Sequence, residues 1–173
     1  VLRPDFLGLW KQIQVIIDGK LSSFGYQNYY FPMLIPKSIL QKQDEHFRVF
    51  YRETARVTKL GEQVIEDELI LRPTSEAVIY DVIKSWVKSK EDLPLRINQW
   101  CNVIRWEIIK KNLPLIRDNE FMWHEAHAVF ATEKEADKEV YQNLDMYEDL
   151  IENYLAIPIF RGFKPGHMRF AGA

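Results

Sequence analysis

The 173-residue sequence has few of the features that mark secreted, membrane or strongly charged proteins. Its single cysteine, Cys101, excludes an internal disulfide and a multi-cysteine zinc site, and it is typical of a reducing compartment. The chain has no apolar run of the roughly 18 residues that a membrane span needs, and no signal-peptide pattern. With 23 basic and 25 acidic residues, it also lacks the basicity of many nucleic-acid binders. We therefore expect a soluble, cytoplasmic protein.

Large apolar side chains are abundant. Hydrophobic residues make up 47% of the chain, which is enough for a packed core and argues against intrinsic disorder. The aromatic side chains alone make up 13%, so we expect ring-lined pockets in addition to the core.

Helices and strands follow one another in an order typical of an α+β fold. Apolar residues at spacings of three and four predict three helices, and β-branched and aromatic runs predict six strands. The helices are expected over 6–25, 75–88 and 133–154, and the strands over 26–31, 54–59, 67–72, 95–109, 119–131 and 156–161. Strands 95–109 and 119–131 are expected to form a hairpin with a wide basic loop. Because consecutive strands dominate, we predict a largely antiparallel sheet, and no phosphate-binding glycine motif is present.

One face of the strand over 119–131 combines rings with ionisable groups. Alternation places four side chains on that face: Phe121, Trp123, Glu125 and His127. This combination fits a small-ligand pocket, or else a half-buried strand in which Glu125 and His127 pair with each other. His124 and His127 are three residues apart and point to opposite faces of a strand, so we predict no metal site.

Arg105 and Glu107 share a face at the end of the preceding strand. They are either an ion pair at an exposed edge or an arginine that binds a phosphate or a carboxylate with its planar fork.

The segment Leu71–Glu76 runs from the end of a strand to the start of the next helix. Thr74 and Glu76 could accept hydrogen bonds from an ammonium group, and the start of the helix suits an anion. Alternatively, Thr74 or Ser75 is an ordinary helix cap. Taken together, the polar segments predict a site for a ligand that is both zwitterionic and phosphorylated.

Two long stretches carry a family resemblance. They read LRPTSEAVIYDVIKSWVKSKEDLPLRINQWCNVIRWE and EFMWHEAHAVFATEKEA. In order and spacing they resemble the prolyl-tRNA synthetases of archaea and the eukaryotic cytosol, and the likeness covers nearly the whole chain. It implies a class II synthetase catalytic domain over 1–173, with an antiparallel sheet flanked by helices. The resemblance also implies that the chain stops before the family's third motif, so that the domain is incomplete at its C-terminus and the anticodon-binding domain is absent.

The resemblance implies a two-step reaction that uses ATP and Mg²⁺. Proline would be activated to prolyl-adenylate, and the prolyl group would then pass to tRNA(Pro). The region around Pro32 matches the family's first motif, which implies a homodimer. No ligand for Mg²⁺ can be assigned in this chain.

The same resemblance assigns roles by matched position. Thr74 and Glu76 would hold the proline imino group, and Arg105 would bridge the proline carboxylate and the α-phosphate of ATP. Glu107 would lie by the adenine side, and Phe121 would stack near adenine. Arg117 would contact the γ-phosphate. The proline pocket would be walled by Trp123, Glu125 and His127.

Two positions depart from the family pattern. Ala126 replaces a glycine beside the proline pocket, and Asn119 replaces a loop arginine. They leave open a synthetase-like binding or regulatory protein without activation chemistry, or a related class II synthetase for another amino acid.

Overall fold

A computed structural model describes residues 1–41, 54–106 and 118–166. These residues form two compact units. The first contains 1–28, 90–98 and 126–164, and the second contains the described residues of 29–89, 99–125 and 165–173. Among the described residues, no helix is both long enough and apolar enough to cross a membrane.

The first unit is built around two long helices. Helix α1, Pro4–Ser23, has a proline in its first turn, where a missing N–H costs nothing, and buries Ile17 and Leu21. After α1 the chain turns at Gly25, whose φ of 89° is the left-handed conformation expected of a helix C-terminal glycine. Helix α4, Glu133–Asp149, continues into a π-helical turn, Leu150–Tyr154.

Helix α4 begins with the expected capping box. The Glu135 N–H donates to Thr132 Oγ1 at 3.3 Å, and the Thr132 N–H donates to the Glu135 carboxylate at 3.0 Å. Two donors that would otherwise be unpaired at the helix start are therefore satisfied by side chains.

Ion pairs connect the elements of the first unit. Lys20 of α1 pairs with Asp149 of α4, and Arg96 donates two 3.0 Å hydrogen bonds to the Glu139 carboxylate. The two-pronged Arg96–Glu139 contact fixes the orientation of both groups, since the guanidinium fork matches a carboxylate.

One three-stranded sheet has the order β1-β5-β6. Strand β1 is Gln27–Asn28, β5 is Leu95–Ile104 and β6 is Glu120–Val129. Strand β1 runs parallel to β5, with Gln27 opposite Ile97. The N-terminal part of β5 and the C-terminal part of β6 belong to the first unit, and the rest of each strand belongs to the second.

The second unit contains an antiparallel sheet of order β2-β4-β3. Its strands are β2 (Leu34–Pro36), β3 (Arg56–Leu60) and β4 (Gln63–Leu71). Ile35 and Ile70 are direct partners in this sheet, and both are fully buried. The described residues of this unit also include the helices α2 (Lys37–Gln41) and α3 (Glu76–Trp86), and α3 buries apolar residues that include Ile79.

Most of the elements expected from the sequence are confirmed, with shifted ends. The three expected helices correspond to α1, α3, and α4 with its π-helical turn. The strand expected over 95–109 ends at Ile104, and the one expected over 26–31 contains only Gln27–Asn28. The mixed helix and antiparallel-rich sheet content agrees with the predicted α+β fold.

The strand expected over 156–161 is wrong. Ala156 has a φ of 55°, which interrupts an extended backbone. The Ile157 N–H donates to the Ile151 carbonyl at 3.0 Å, so it bonds back to the π-helical turn and not to a strand. Phe160 is fully exposed, although its aromatic character favours a strand in the sequence pattern.

Candidate active site

The segment after β4 is held in place from both sides. Arg72 is buried and donates from Nε to the Asn102 carbonyl and from Nη1 to the Phe31 carbonyl, each at 2.7 Å. Its backbone N–H donates to the Met33 carbonyl, and its own carbonyl accepts from the Ile104 N–H. These bonds fix where the following residues, 73–76, lie.

Thr74 and Glu76 form a hydrogen-bonded pair at the start of α3. The Thr74 hydroxyl donates directly to the Glu76 carboxylate. Ser75 is the N-cap residue of α3, but its side chain makes no capping hydrogen bond. The expected cap is confirmed at Ser75 as a position, but its hydroxyl accepts from Gln99 and does not cap the helix. The Thr74–Glu76 pair presents a carboxylate and a hydroxyl within one turn.

A buried amide supports this segment from β5. Gln99 is fully buried, and its Oε1 accepts from the Phe31 N–H at 2.6 Å. Its Nε2 donates to Ser75 Oγ at 3.1 Å and to Glu125 Oε1 at 2.6 Å. One side chain therefore joins the Thr74–Glu76 segment to β6.

Cys101 extends this network. Its thiol donates to Glu125 Oε1 at 3.4 Å, and its sulfur accepts from Trp123 Nε1 at 3.2 Å. Burial, followed by the nearby Glu125 carboxylate, raises the pKa of Cys101 to about 11. The thiol is therefore protonated at neutral pH, where it acts as a hydrogen-bond donor and not as a nucleophile.

The contacts of Arg105 include a backbone carbonyl and two aromatic rings. Its Nε donates to the Pro73 carbonyl at 2.9 Å. Its guanidinium carbon lies 5.7 Å from the Phe121 ring centroid and 5.2 Å from that of Trp123. The two rings meet edge to face, 6.1 Å apart at 81°. The guanidinium plane is thus oriented beside the Thr74–Glu76 segment, and the charge gains from the negative ring faces.

The structure brings together most of the residues expected to form the site. Those that lie in the second unit are Thr74, Glu76, Arg105, Phe121, Trp123 and Glu125. His127 is buried on β6 but belongs to the first unit, and Glu107 and Arg117 lie outside the described residues. Exposed Ala126 lies between buried Glu125 and buried His127, which agrees with the alternation expected of this strand. The ligand-binding roles of these residues remain predictions.

Sequence reasoning missed the supporting polar network. Gln99 and Cys101 were not among the expected site residues, although both contact Glu125. A signal was available in the neighbouring amides Asn98 and Gln99, which occupy successive positions of a strand and so place one amide on each face. A buried amide requires hydrogen-bond partners, so such a pair indicates a polar network inside the fold.

The described residues include a cation suited to an anionic ligand but no cluster suited to a metal ion. Arg105 supplies an oriented cation that suits a carboxylate or a phosphate. In the part of the chain that the structure describes, no three His, Cys, Asp or Glu side chains are grouped so that they could hold a metal ion.

Comparison with known proteins points to one family. Residues 57–162 match the model of the tRNA synthetase class II core domain (G, H, P, S and T). The whole chain is 44% identical to a proline–tRNA ligase of Encephalitozoon cuniculi and covers 34% of it. It is 46% identical over its whole length to a proline–tRNA ligase of Borreliella burgdorferi and covers 35% of that protein.

A plant protein shows a comparable likeness. The cytoplasmic proline–tRNA ligase of Arabidopsis thaliana is 41% identical over 172 residues, which are 99% of this chain and 32% of that protein. The chain thus spans about a third of the length of the curated relatives that it matches.

Proposed function

The chain belongs to the family of class II tRNA synthetase core domains, and from this premise we propose that the protein activates proline with ATP and transfers the prolyl group to tRNA(Pro). Its relatives that carry the name proline–tRNA ligase are 41–46% identical to it across nearly the whole chain. The matched ranges cover the segments that hold the candidate site, which supports the same amino-acid substrate.

The observation that carries the proposal is the placement of complementary groups on one short segment. The Thr74–Glu76 pair offers a hydroxyl and a carboxylate, which suit the positively charged imino group of proline. The carbonyl of Pro73, the preceding residue, anchors the Arg105 guanidinium. Arg105 would hold the proline carboxylate and the α-phosphate of ATP side by side.

The proposed chemistry requires positioning and charge stabilisation. A proline carboxylate oxygen attacks the α-phosphorus of ATP, forming prolyl-adenylate, and pyrophosphate leaves. Phosphoryl-type transfer depends on aligned reactants and on cations next to the developing negative charge. Arg105 supplies such a cation in a fixed orientation, and no covalent protein intermediate is needed.

The adenine side and the proline pocket involve further residues. Phe121 would stack near adenine, and Trp123 with Glu125 would form part of the proline pocket wall. Three further assignments stay proposals made from the sequence: Glu107 near adenine, Arg117 at the γ-phosphate, and His127 in the pocket wall. Because the described residues contain no acidic or histidine cluster for a metal ion, we assign no ligand to the Mg²⁺ that class II synthetases use with ATP.

We also propose that the region around Pro32 forms a homodimer interface. Tyr30 is 71% exposed and Leu34 is 42% exposed, so large apolar surfaces flank Pro32 in the second unit. Light scattering on the full-length protein should give twice the monomer mass, and the mass of a monomer at micromolar concentration would contradict this proposal.

Amino-acid-dependent exchange of pyrophosphate into ATP tests the activity. We expect the full-length protein to catalyse exchange with proline and not with the other amino acids. Exchange that depends on another amino acid would assign the protein to a related class II synthetase. If calorimetry detects proline binding but no exchange occurs, the protein is a binding or regulatory relative and the proposed activity is wrong.

A further inference from the structure

We propose that Gln99 is a positioning residue that sets proline affinity by holding Glu125 and Ser75 in place. This inference rests on the proposed function, because it assigns Gln99 to the amino-acid side of the same site. Gln99 acts through its neighbours, since it is fully buried within the second unit.

The orientation of the Gln99 amide is determined by its partners. The Phe31 N–H can only donate, so it requires the amide oxygen at 2.6 Å. The NH₂ group must then point the other way, and its two hydrogens serve Ser75 Oγ and Glu125 Oε1. Both hydrogens and the oxygen of the amide are therefore used inside the protein.

On β6, Gln99 orients the Glu125 carboxylate. The Gln99 and Cys101 donors both reach Oε1, at 2.6 and 3.4 Å. An amide N–H to a carboxylate is a strong, charge-assisted bond, whereas a thiol is a weak donor. Gln99 is thus the stronger of these two supports for Glu125, a residue proposed to form the wall of the proline pocket.

On the other side, Gln99 holds the residue between the two proposed imino-group ligands. Ser75 is fully buried and lies between Thr74 and Glu76 in the chain. The 3.1 Å bond from Gln99 Nε2 fixes the Ser75 side chain, and with it the start of α3. A single amide therefore sets the separation between Glu125 and the Thr74–Glu76 pair.

This geometry separates proline binding from ATP binding. Gln99 bonds Glu125 and Ser75, which lie in or beside the groups proposed to bind the amino acid, whereas Arg105 contacts Pro73, Phe121 and Trp123. Loss of the amide should therefore weaken proline binding without an equal effect on ATP.

The test is the substitution Gln99→Met in the full-length protein, which keeps the side-chain length and removes the amide. In proline-dependent pyrophosphate exchange, we expect the KM for proline to rise about tenfold, because the charge-assisted bond to Glu125 is one of the three bonds lost. The KM for ATP should stay within about twofold, since the Arg105 contacts are unchanged.

Asn102→Ala is the matched control. Asn102 also lies on β5, and its amide donates to a glutamate on β6, Glu120, at 3.1 Å, but this bond is exposed. We expect both KM values of this variant to stay within about twofold of the wild-type values, because an exposed side-chain bond contributes little.

If Gln99→Met does not fold, a second variant, Ser75→Ala, still tests the proposal. Ser75→Ala removes one acceptor and leaves the Gln99–Glu125 bond in place, so we expect a smaller rise in the KM for proline, about threefold.

Equal changes in both KM values, or a fall in kcat alone, would indicate a merely structural role and overturn the inference. An unchanged KM for proline in a wild-type enzyme that does exchange would also overturn it, while the proposed function stands. A wild-type protein without proline-dependent exchange would refute the proposed function and this inference together.

Discussion

Replacing Arg105 with alanine should separate its contribution to stability from its contribution to catalysis. The contacts of the side chain include a hydrogen bond to the Pro73 carbonyl and two aromatic rings. At about 1 kcal/mol for the hydrogen bond and about 0.5 kcal/mol for each ring contact, its loss should lower the free energy of unfolding by about 2 kcal/mol. Urea denaturation of the full-length protein measures this change.

The catalytic effect of the same substitution should be larger. Removal of an oriented donor at a site of developing negative charge lowers kcat by about 100-fold or more. We therefore expect Arg105→Ala to lose at least that factor in proline-dependent exchange while it remains folded. Saturating proline and ATP keep the comparison on kcat.

Two further substitutions separate the role of the Arg105 charge from that of its planar fork and provide a surface-arginine control. Arg105→Lys keeps the positive charge but loses the planar fork, so its exchange rate should lie between those of Arg105→Ala and the wild type. Arg56, in the same unit, pairs with Glu68 at 3.5 Å on the surface, and Arg56→Ala should exchange at the wild-type rate. A folded Arg105→Ala protein that retains a kcat within about threefold of wild type would refute the role of Arg105.

Three other predictions concern stability and reactivity. Glu139→Ala leaves Arg96 without its two-pronged partner, so urea denaturation should show a loss of about 1–3 kcal/mol, and an unchanged midpoint would contradict this. Pairing raises the pKa of Lys20 and lowers the pKa of Asp149, so their mutual stabilisation is present at neutral pH. This stabilisation is lost as the pH falls below the ordinary carboxyl pKa of 3.8, and again as the pH rises through the raised pKa of Lys20. The difference in unfolding free energy between wild type and Lys20→Met should therefore shrink below about pH 4. A difference that stays constant with pH would argue against the pair. Burial raises the pKa of Cys101 to about 11, so its thiol should be alkylated very slowly at pH 8 in the folded protein and rapidly in urea. Mass spectrometry of the peptide that contains Cys101 measures both rates. Rapid alkylation of the folded protein would contradict the buried position.

Local sequence signals predicted the elements whose ends depend on nearby residues. The capping box of Thr132 and Glu135 identifies the start of α4, because both partners lie within one turn. Gly25 likewise marks the end of α1 through its positive φ.

Features that depend on bonds to residues outside the segment itself could not be predicted in this way. Residues 156–161 have the composition of a strand, but the Ile157 N–H bonds back to the preceding π-helical turn. Ser75 is the helix cap residue that the sequence predicts, but its hydroxyl accepts from Gln99, which is 24 positions away, and makes no capping bond. Strand and helix propensities describe a segment in isolation, whereas bonds to residues outside the segment decide its conformation in the folded protein.

The candidate site shows the same division. Strand alternation placed Phe121, Trp123 and Glu125 on one face, as their ring contact and the shared link through Cys101 show. Their supporting residue, Gln99, could not be found from spacing, because its three partners come from three separate segments of the chain.

The proposed binding mode of proline can be tested with a crystal structure of the full-length protein bound to a non-hydrolysable prolyl-adenylate analogue. We expect the pyrrolidine nitrogen to lie about 3 Å from Thr74 Oγ1 and from the Glu76 carboxylate. We also expect the Arg105 guanidinium to contact the phosphate or its mimic. An analogue whose ring binds away from the Thr74–Glu76 pair, or whose phosphate lies out of reach of Arg105, would contradict this binding mode.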